Sequence, residues 1–147
     1  YNVIDDQVTM GGTIRTFKKD TRSYIEKRLN EICKGIAEAH GAEIKIQFDL
    51  VNKYPPTINS KKESIFASNV AKDLVGEDKV ITDIDPSMGG EDFSYLLEKK
   101  PGSYLYLGQG DSEHKAHLHT TKYDFNDNLL PVGVNFWIEL VKKYFSK

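Results

Sequence analysis

The stretch AEIKIQFDLV, residues 42–51, decides how this chain is read. Ile44, Ile46, Phe48 and Leu50 alternate with Lys45, Gln47 and Asp49, the period-two pattern of a strand with one apolar and one wet face. Just upstream, Ile25, Leu29, Ile32 and Ile36 step by four, three and four, which predicts an amphipathic helix. Asp20 or Thr21 can cap its start and Gly41 can end it. Before that, QVTMGGTIRTF (7–17) alternates again, with Val8, Met10 and Ile14 on one face and Thr9, Thr13 and Arg15 on the other. Gly11–Gly12 lowers the strand propensity there but can mark a close backbone approach.

Downstream the alternation stops at NKYPPTINS (52–60), where Pro55 and Pro56 forbid a regular central strand or helix. This is the candidate boundary between two domains, 1–56 and 57–147. Next come a Ser60-x-x-Glu63 capping box, apolar Ile65, Phe66, Val70 and Leu74, and Gly76 as a stop, together a second helix. DKVITDI (78–84) predicts a short strand, and MGGEDFSYLLEKKPG (88–102) a glycine turn feeding a short helix. SYLYLGQG (103–110) predicts another strand. A last helix is expected over about 128–143, where Leu130, Val134, Trp137, Val141 and Phe145 keep helical spacing. Pro131 is tolerable only in its first turn, where the missing N–H has no helical partner. The order strand–helix–strand, joint, helix–strand–helix–strand–helix defines an α/β chain. Its first part supplies only two strands, too few to stand alone.

Composition narrows the function. The 147 residues carry 20 basic and 22 acidic side chains for a net charge of −2, so bulk charge argues for neither nucleic acid nor a membrane surface. No apolar run approaches a membrane span. The single cysteine, Cys33, excludes an internal disulfide and suits a reducing, cytoplasmic setting. It lies in the helix's apolar stripe, next to Ile32, where buried packing is the simpler role. YNVIDDQVTMGG, the opening, has no initiator Met and no signal-peptide pattern; a fragment or processed chain is expected.

Three places offer chemistry, each with a plainer reading. His117 and His119, two apart in HLHTTKYDFND, would share a face of an extended segment, with Asp124 and Asp127 near enough in sequence to hold an imidazole. Two histidines are not a zinc site, which takes three or four protein ligands, and the plainer reading is a surface histidine beside a capping Asp. Gly89–Gly90 ahead of Glu91 and Asp92 could form an anion-binding nest, or the acidic pair could simply complement a helix dipole. Arg15, with Asn2 upstream, could grip a carboxylate through its fork, or be a solvated surface Arg. No G-x-S-x-G and no H-E-x-x-H occurs.

Taken together and in order, NVIDDQVTMGGTIRTF, YPPTIN, MGGEDFSYLLEKKPGSYLYLG and LHTTKYDFNDNLLPVGV resemble the metal-dependent amidohydrolases of the hippurate hydrolase and indole-acetyl-amino-acid hydrolase type, within the wider aminoacylase and metallo-carboxypeptidase superfamily. The resemblance covers almost the entire chain. It implies a catalytic α/β domain with two divalent metal ions, such as zinc, manganese or cobalt. It also implies an inserted α+β, ferredoxin-like lid that commonly forms a homodimer. Residues 1–56 would be the second half of that lid, and 57–147 the C-terminal part of the catalytic domain. His119 matches the family's last metal-ligand histidine. Asn2, Arg15, Gly89 and Gly90 match substrate-binding positions; no role carries over to His117, and Glu91 and Asp92, which belong to the same motif, are assigned to ordering the loop and helix start before any chemistry. The other ligands (a Cys-x-His pair, a carboxylate and a further His) and the general-base Glu would lie upstream of residue 1, and neither Cys33, His40 nor His114 replaces them. The expectation is the C-terminal portion of an enzyme cleaving N-acyl amino acids or small peptides, inactive alone and holding metal only weakly. The alternative is a non-catalytic dimerisation module or an inactive truncation.

Overall fold

A computed structural model describes residues 3–49 and 53–146. Among these residues four α-helices are formed: α1 (Lys19–His40), α2 (Lys61–Val75), α3 (Phe93–Lys99) and α4 (Leu130–Phe145), with short 3-10 turns at Glu77–Lys79 and Asp127–Leu129. The chain divides into two compact units, one of Tyr1–Pro56 with Ser87–Asp92, the other of Thr57–Pro86 with Phe93–Lys147.

In the first unit, α1 follows the periodicity read from Ile25 to Ile36 and stops where expected. Gly41 adopts φ 62°, a left-handed conformation that glycine reaches without a Cβ penalty. Its neighbour Ala42 donates its N–H to the Ala37 carbonyl at 3.0 Å, satisfying a carbonyl of the last turn. The start differs from expectation. The helix begins one residue before Asp20, with Lys18 at the cap and no side-chain capping bond; Asp20 instead lies in the first turn, where its charge complements the dipole. Arg22 reaches from α1 to the backbone beyond the proline joint's start, donating to the Tyr54 carbonyl at 2.7 Å and the Lys53 carbonyl at 3.3 Å. Lys53 returns to α1, with its Nζ 2.9 Å from Glu26.

In the second unit, α2 packs on α4. Ala67 and Val70, on one face of α2, are buried, and Phe66 meets Tyr144 edge to face with centroids 6.2 Å apart, a favoured aromatic geometry. Lys143 pairs with Asp73 across the two helices. The expected capping box at Ser60 does not close. Ser60 occupies the N-cap without capping the helix; its Oγ accepts the Gly102 N–H at 3.2 Å, and its own N–H donates to the Gly102 carbonyl at 2.9 Å. Gly76 ends α2 at φ 96° as expected, and Pro131 falls in the first turn of α4. Glu91 and Asp92 directly precede α3, which starts at Phe93, so they flank its N-terminus rather than lie in its first turn.

The α/β fold class, with its ferredoxin-like lid, is overturned. Among the described residues there is no strand and no sheet. The four stretches read as strands (7–17, 42–51, 78–84 and 103–110) form no ladder in the residues described, and Leu50 and Val51 of the second lie outside them. The physical reason is that alternation records which side chains want cover, whereas a strand exists only when a second backbone supplies its N–H and C=O partners. Near Tyr104 a side chain takes that place. Asn59 accepts the Tyr104 N–H at 2.7 Å and donates to the Tyr104 carbonyl at 2.9 Å, so one amide side chain satisfies both backbone groups.

Candidate functional site

In the first unit, Arg15 and the glycine pair, 74 residues apart in sequence, come together. The Arg15 guanidinium donates through Nη1 to the Met88 carbonyl at 2.7 Å, directly before Gly89–Gly90. That bond fixes one edge of the fork and leaves the planar group beside the loop. Gly90 lets the loop come close here: a Cβ at this position would lie 3.2 Å from the Tyr54 ring, tighter than most side-chain contacts, so the ring would have to give way by a few tenths of an ångström. A Cβ on Gly89 would meet only Ser87 Oγ at 3.5 Å, an ordinary contact. Tyr54 is itself held by Arg22 of α1, so the wall behind the loop is anchored to the unit's long helix. Asn2, the other predicted substrate residue, lies outside the described residues.

In the second unit, His119 stands at the tip of an exposed turn between Lys115 and Lys122. Its φ is 62°, the sole positive value at a non-glycine among the described residues. Such a backbone is uncommon for a side chain of this size and recurs at functional positions. The Thr120 hydroxyl donates to the His117 carbonyl at 2.8 Å, and the Tyr123 N–H donates to the Thr120 carbonyl at 3.2 Å, folding the turn back on itself. His117 contributes its carbonyl to this turn.

At the base of the turn is a polar network that sequence reading missed. Asp111 Oδ1 accepts the backbone N–H groups of Glu113 and His114 at 2.8 and 2.7 Å. The His114 imidazole lies with Nδ1 2.9 Å from the same oxygen; since a carboxylate only accepts, Nδ1 carries the hydrogen. The His114 and Glu113 amides, followed by the imidazole, hold the Asp111 carboxyl down at about 2. Asn126 is 6% exposed. Its Nδ2 donates to Asp111 Oδ2 at 2.9 Å and to the Gln109 carbonyl at 3.3 Å, while its Oδ1 accepts the Asn128 N–H at 3.1 Å. The sequence signal was present in D-x-x-H and in the asparagine of DFND, but nothing local said that they meet.

Among the described residues no group of three or more His, Cys, Asp or Glu side chains is placed to hold a metal ion. His119 is exposed and suits a single ligand, but its described neighbours do not complete a shell. Cys33 lines an open groove with Ala37, Ile44 and Ile46, remote in the sequence from every predicted ligand. No helix is long and apolar enough to cross a membrane among the residues described.

Peptidase family M20/M25/M40 matches residues 3–143, and the chain belongs to it. It is 37% identical over 146 residues to a hippurate hydrolase of Campylobacter jejuni, covering 99% of this chain and 37% of that protein. It is 34% identical over 134 residues to an N-acetyldiaminopimelate deacetylase of Enterococcus faecalis, covering 90% and 34%. It is 30% identical over 148 residues to an IAA-amino acid hydrolase, ILR1-like 4, of Arabidopsis thaliana, covering 98% and 33%. The chain thus spans roughly a third of the length of the curated relatives it matches. No solved structure matches it.

Proposed function

We propose that the whole protein is a metal-dependent amidohydrolase that releases an amino acid from an N-acyl amino acid or a related small amide or peptide. Two divalent ions (zinc, manganese or cobalt) would activate the water. Family membership and relatives named for hippurate, N-acetyldiaminopimelate and IAA-amino acid hydrolysis support the reaction class. The observation that carries the reading for this chain is the Arg15 guanidinium held at the Met88 carbonyl beside Gly89–Gly90. A substrate carboxylate would meet the free edge of that fork, with Asn2 assisting, while the glycine loop lets the substrate backbone come close. His119 would ligate one metal. The described residues do not complete a metal shell, and the general-base Glu is assigned outside this chain. Residues 1–56 are assigned to the lid, which would mediate a homodimer, and 57–147 to the catalytic domain.

The test uses the whole protein, stripped with chelator and reloaded with each ion, and follows amine release from a series of N-acyl amino acids. His119→Ala should abolish hydrolysis and lower metal content; unchanged values of both remove His119 from the site. Arg15→Ala should raise KM roughly ten- to hundredfold for acyl amino acids, yet leave KM for the matching acyl amides, which lack the carboxylate, unchanged. Equal weakening of both substrates would refute carboxylate recognition by Arg15. A second reading, a non-catalytic association module, draws on the exposed Leu29, Ile32 and Ile36 along α1. A strict monomer by light scattering would count against it.

A further inference from the structure

We propose that Asn126 is a positioning residue that clasps the base of the turn carrying His119 and so sets where that imidazole stands. The turn leaves the fold at Gln109–His114 and returns at Tyr123–Asn128, and both arms are tied through one buried amide. Its Nδ2 reaches the outgoing arm at Asp111 and Gln109 (2.9 and 3.3 Å), and its Oδ1 holds the returning arm at Asn128 (3.1 Å). Two weaker rungs run alongside: Tyr123 Oη donates to Gln109 Oε1 at 3.1 Å, and Gln109 Nε2 donates to the Asp124 carbonyl at 3.3 Å. Asp111 cannot move to follow a loosened Asn126, because its other oxygen is engaged by the Glu113 and His114 amides and faces the His114 ring. Residues 115–122, by contrast, are mostly exposed and carry few bonds of their own. The order of the tip therefore comes from the base. A buried amide that satisfies partners on two arms cannot be replaced by an apolar side chain without leaving those partners unpaired. The importance of the clasp for catalysis rests on the reading of His119 under Proposed function; the clasp itself does not.

The chain supplies its own probe, since Lys115 and Lys122 flank the tip and both are exposed. In the whole protein, under chelation, Asn126→Ala should accelerate tryptic cleavage after these two lysines by roughly tenfold, with cleavage after Lys72 and Lys142 in the helices unchanged. Acceleration at all four sites would report general unfolding. Asp111→Asn, which keeps the shape but replaces one acceptor oxygen by an NH2 group that cannot accept from Asn126 Nδ2, then becomes the deciding variant, and it should accelerate the two tip sites alone. Unchanged cleavage after Lys115 and Lys122 in a folded variant overturns the clasp whatever the activity. With the clasp loosened, kcat should fall at least tenfold while KM stays within about twofold, because orientation rather than affinity is lost. Accelerated cleavage with unchanged kcat overturns the positioning role. Failure of the His119 reading shows separately, as His119→Ala with full activity.

Discussion

His119 at φ 62° has a consequence that can be measured without knowing the reaction. A left-handed backbone costs a residue with a Cβ about 1–2 kcal/mol, a cost that glycine does not incur. In an exposed turn, His119→Gly should therefore be more stable than His119→Ala by about 0.5–1 kcal/mol, the reverse of the usual order, read as the difference in urea midpoints of the whole protein. An Ala variant as stable as the Gly variant would mean that the turn relaxes out of this conformation in solution. Asp111 gives a second residue-scale expectation. Its folded pKa of about 2 lies below the ordinary 3.8, so the fold favours the ionised form. Its contribution to stability is complete above pH 3.8 and is lost as pH falls through about 2. The gap in thermal midpoint between the protein and its Asp111→Asn variant should stay level from pH 7 to about 4 and narrow only below. A gap that closes well above pH 4 would mean that this stability does not come from the Asp111 charge. Neither Arg15 beside Met88 nor Asn126 beside Asp111 was legible in the sequence. Residue type can nominate a fork or an amide, but the meeting of positions 15 and 88 is a product of tertiary folding.

At the scale of elements, legibility followed the range of the hydrogen bonds. Helices α1, α2 and α4 were readable because each backbone bond closes within four residues, so spacing, a glycine stop and a tolerated Pro131 carry most of the information. The strands were misread because Ile44, Ile46 and Phe48 announce an apolar face without saying what backbone would pair with it. Helix caps were misplaced where a longer-range partner won: the Ser60 hydroxyl bonds Gly102 rather than its own helix. The α2–α4 contact gives this scale its prediction. Val70 is 1% exposed, and Val70→Ala removes two buried carbons and leaves a void, at a cost of about 2 kcal/mol. Asp73→Asn, which removes an exposed ion pair between the same helices, should cost under about 0.5 kcal/mol. Urea melts of both variants in the whole protein separate these terms; a larger loss from Asp73 would assign the α2–α4 contact to charge rather than packing.

For the whole molecule the balance of cover decides. Among the described residues the buried hydrophobic side chains are Ala67 and Val70, while Val134, Trp137 and Val141 along α4 are 58%, 63% and 50% exposed. These three repeat at helical spacing and form one stripe, so they are a face left uncovered rather than scattered surface residues. Hydrophobic stabilisation scales with the apolar area removed from water, and it must offset about 1–2 kcal/mol of backbone entropy per ordered residue. A face this exposed contributes little to that balance. The relatives are about three times as long as the segment they share with this chain, so a protein of their length has material to cover the stripe. The 147-residue chain studied alone should therefore bind an apolar dye such as ANS strongly and melt over a broad range without a sharp transition. Its sole tryptophan, Trp137, should emit as a hydrated indole. In a protein of the relatives' length the same tryptophan should shift to the blue and dye binding should fall. A sharp calorimetric transition for the isolated chain, with an enthalpy near 0.7 kcal/mol per residue, would show that α2, α4 and their loops close a sufficient core by themselves, and the exposed stripe would then have to be explained as a surface in its own right.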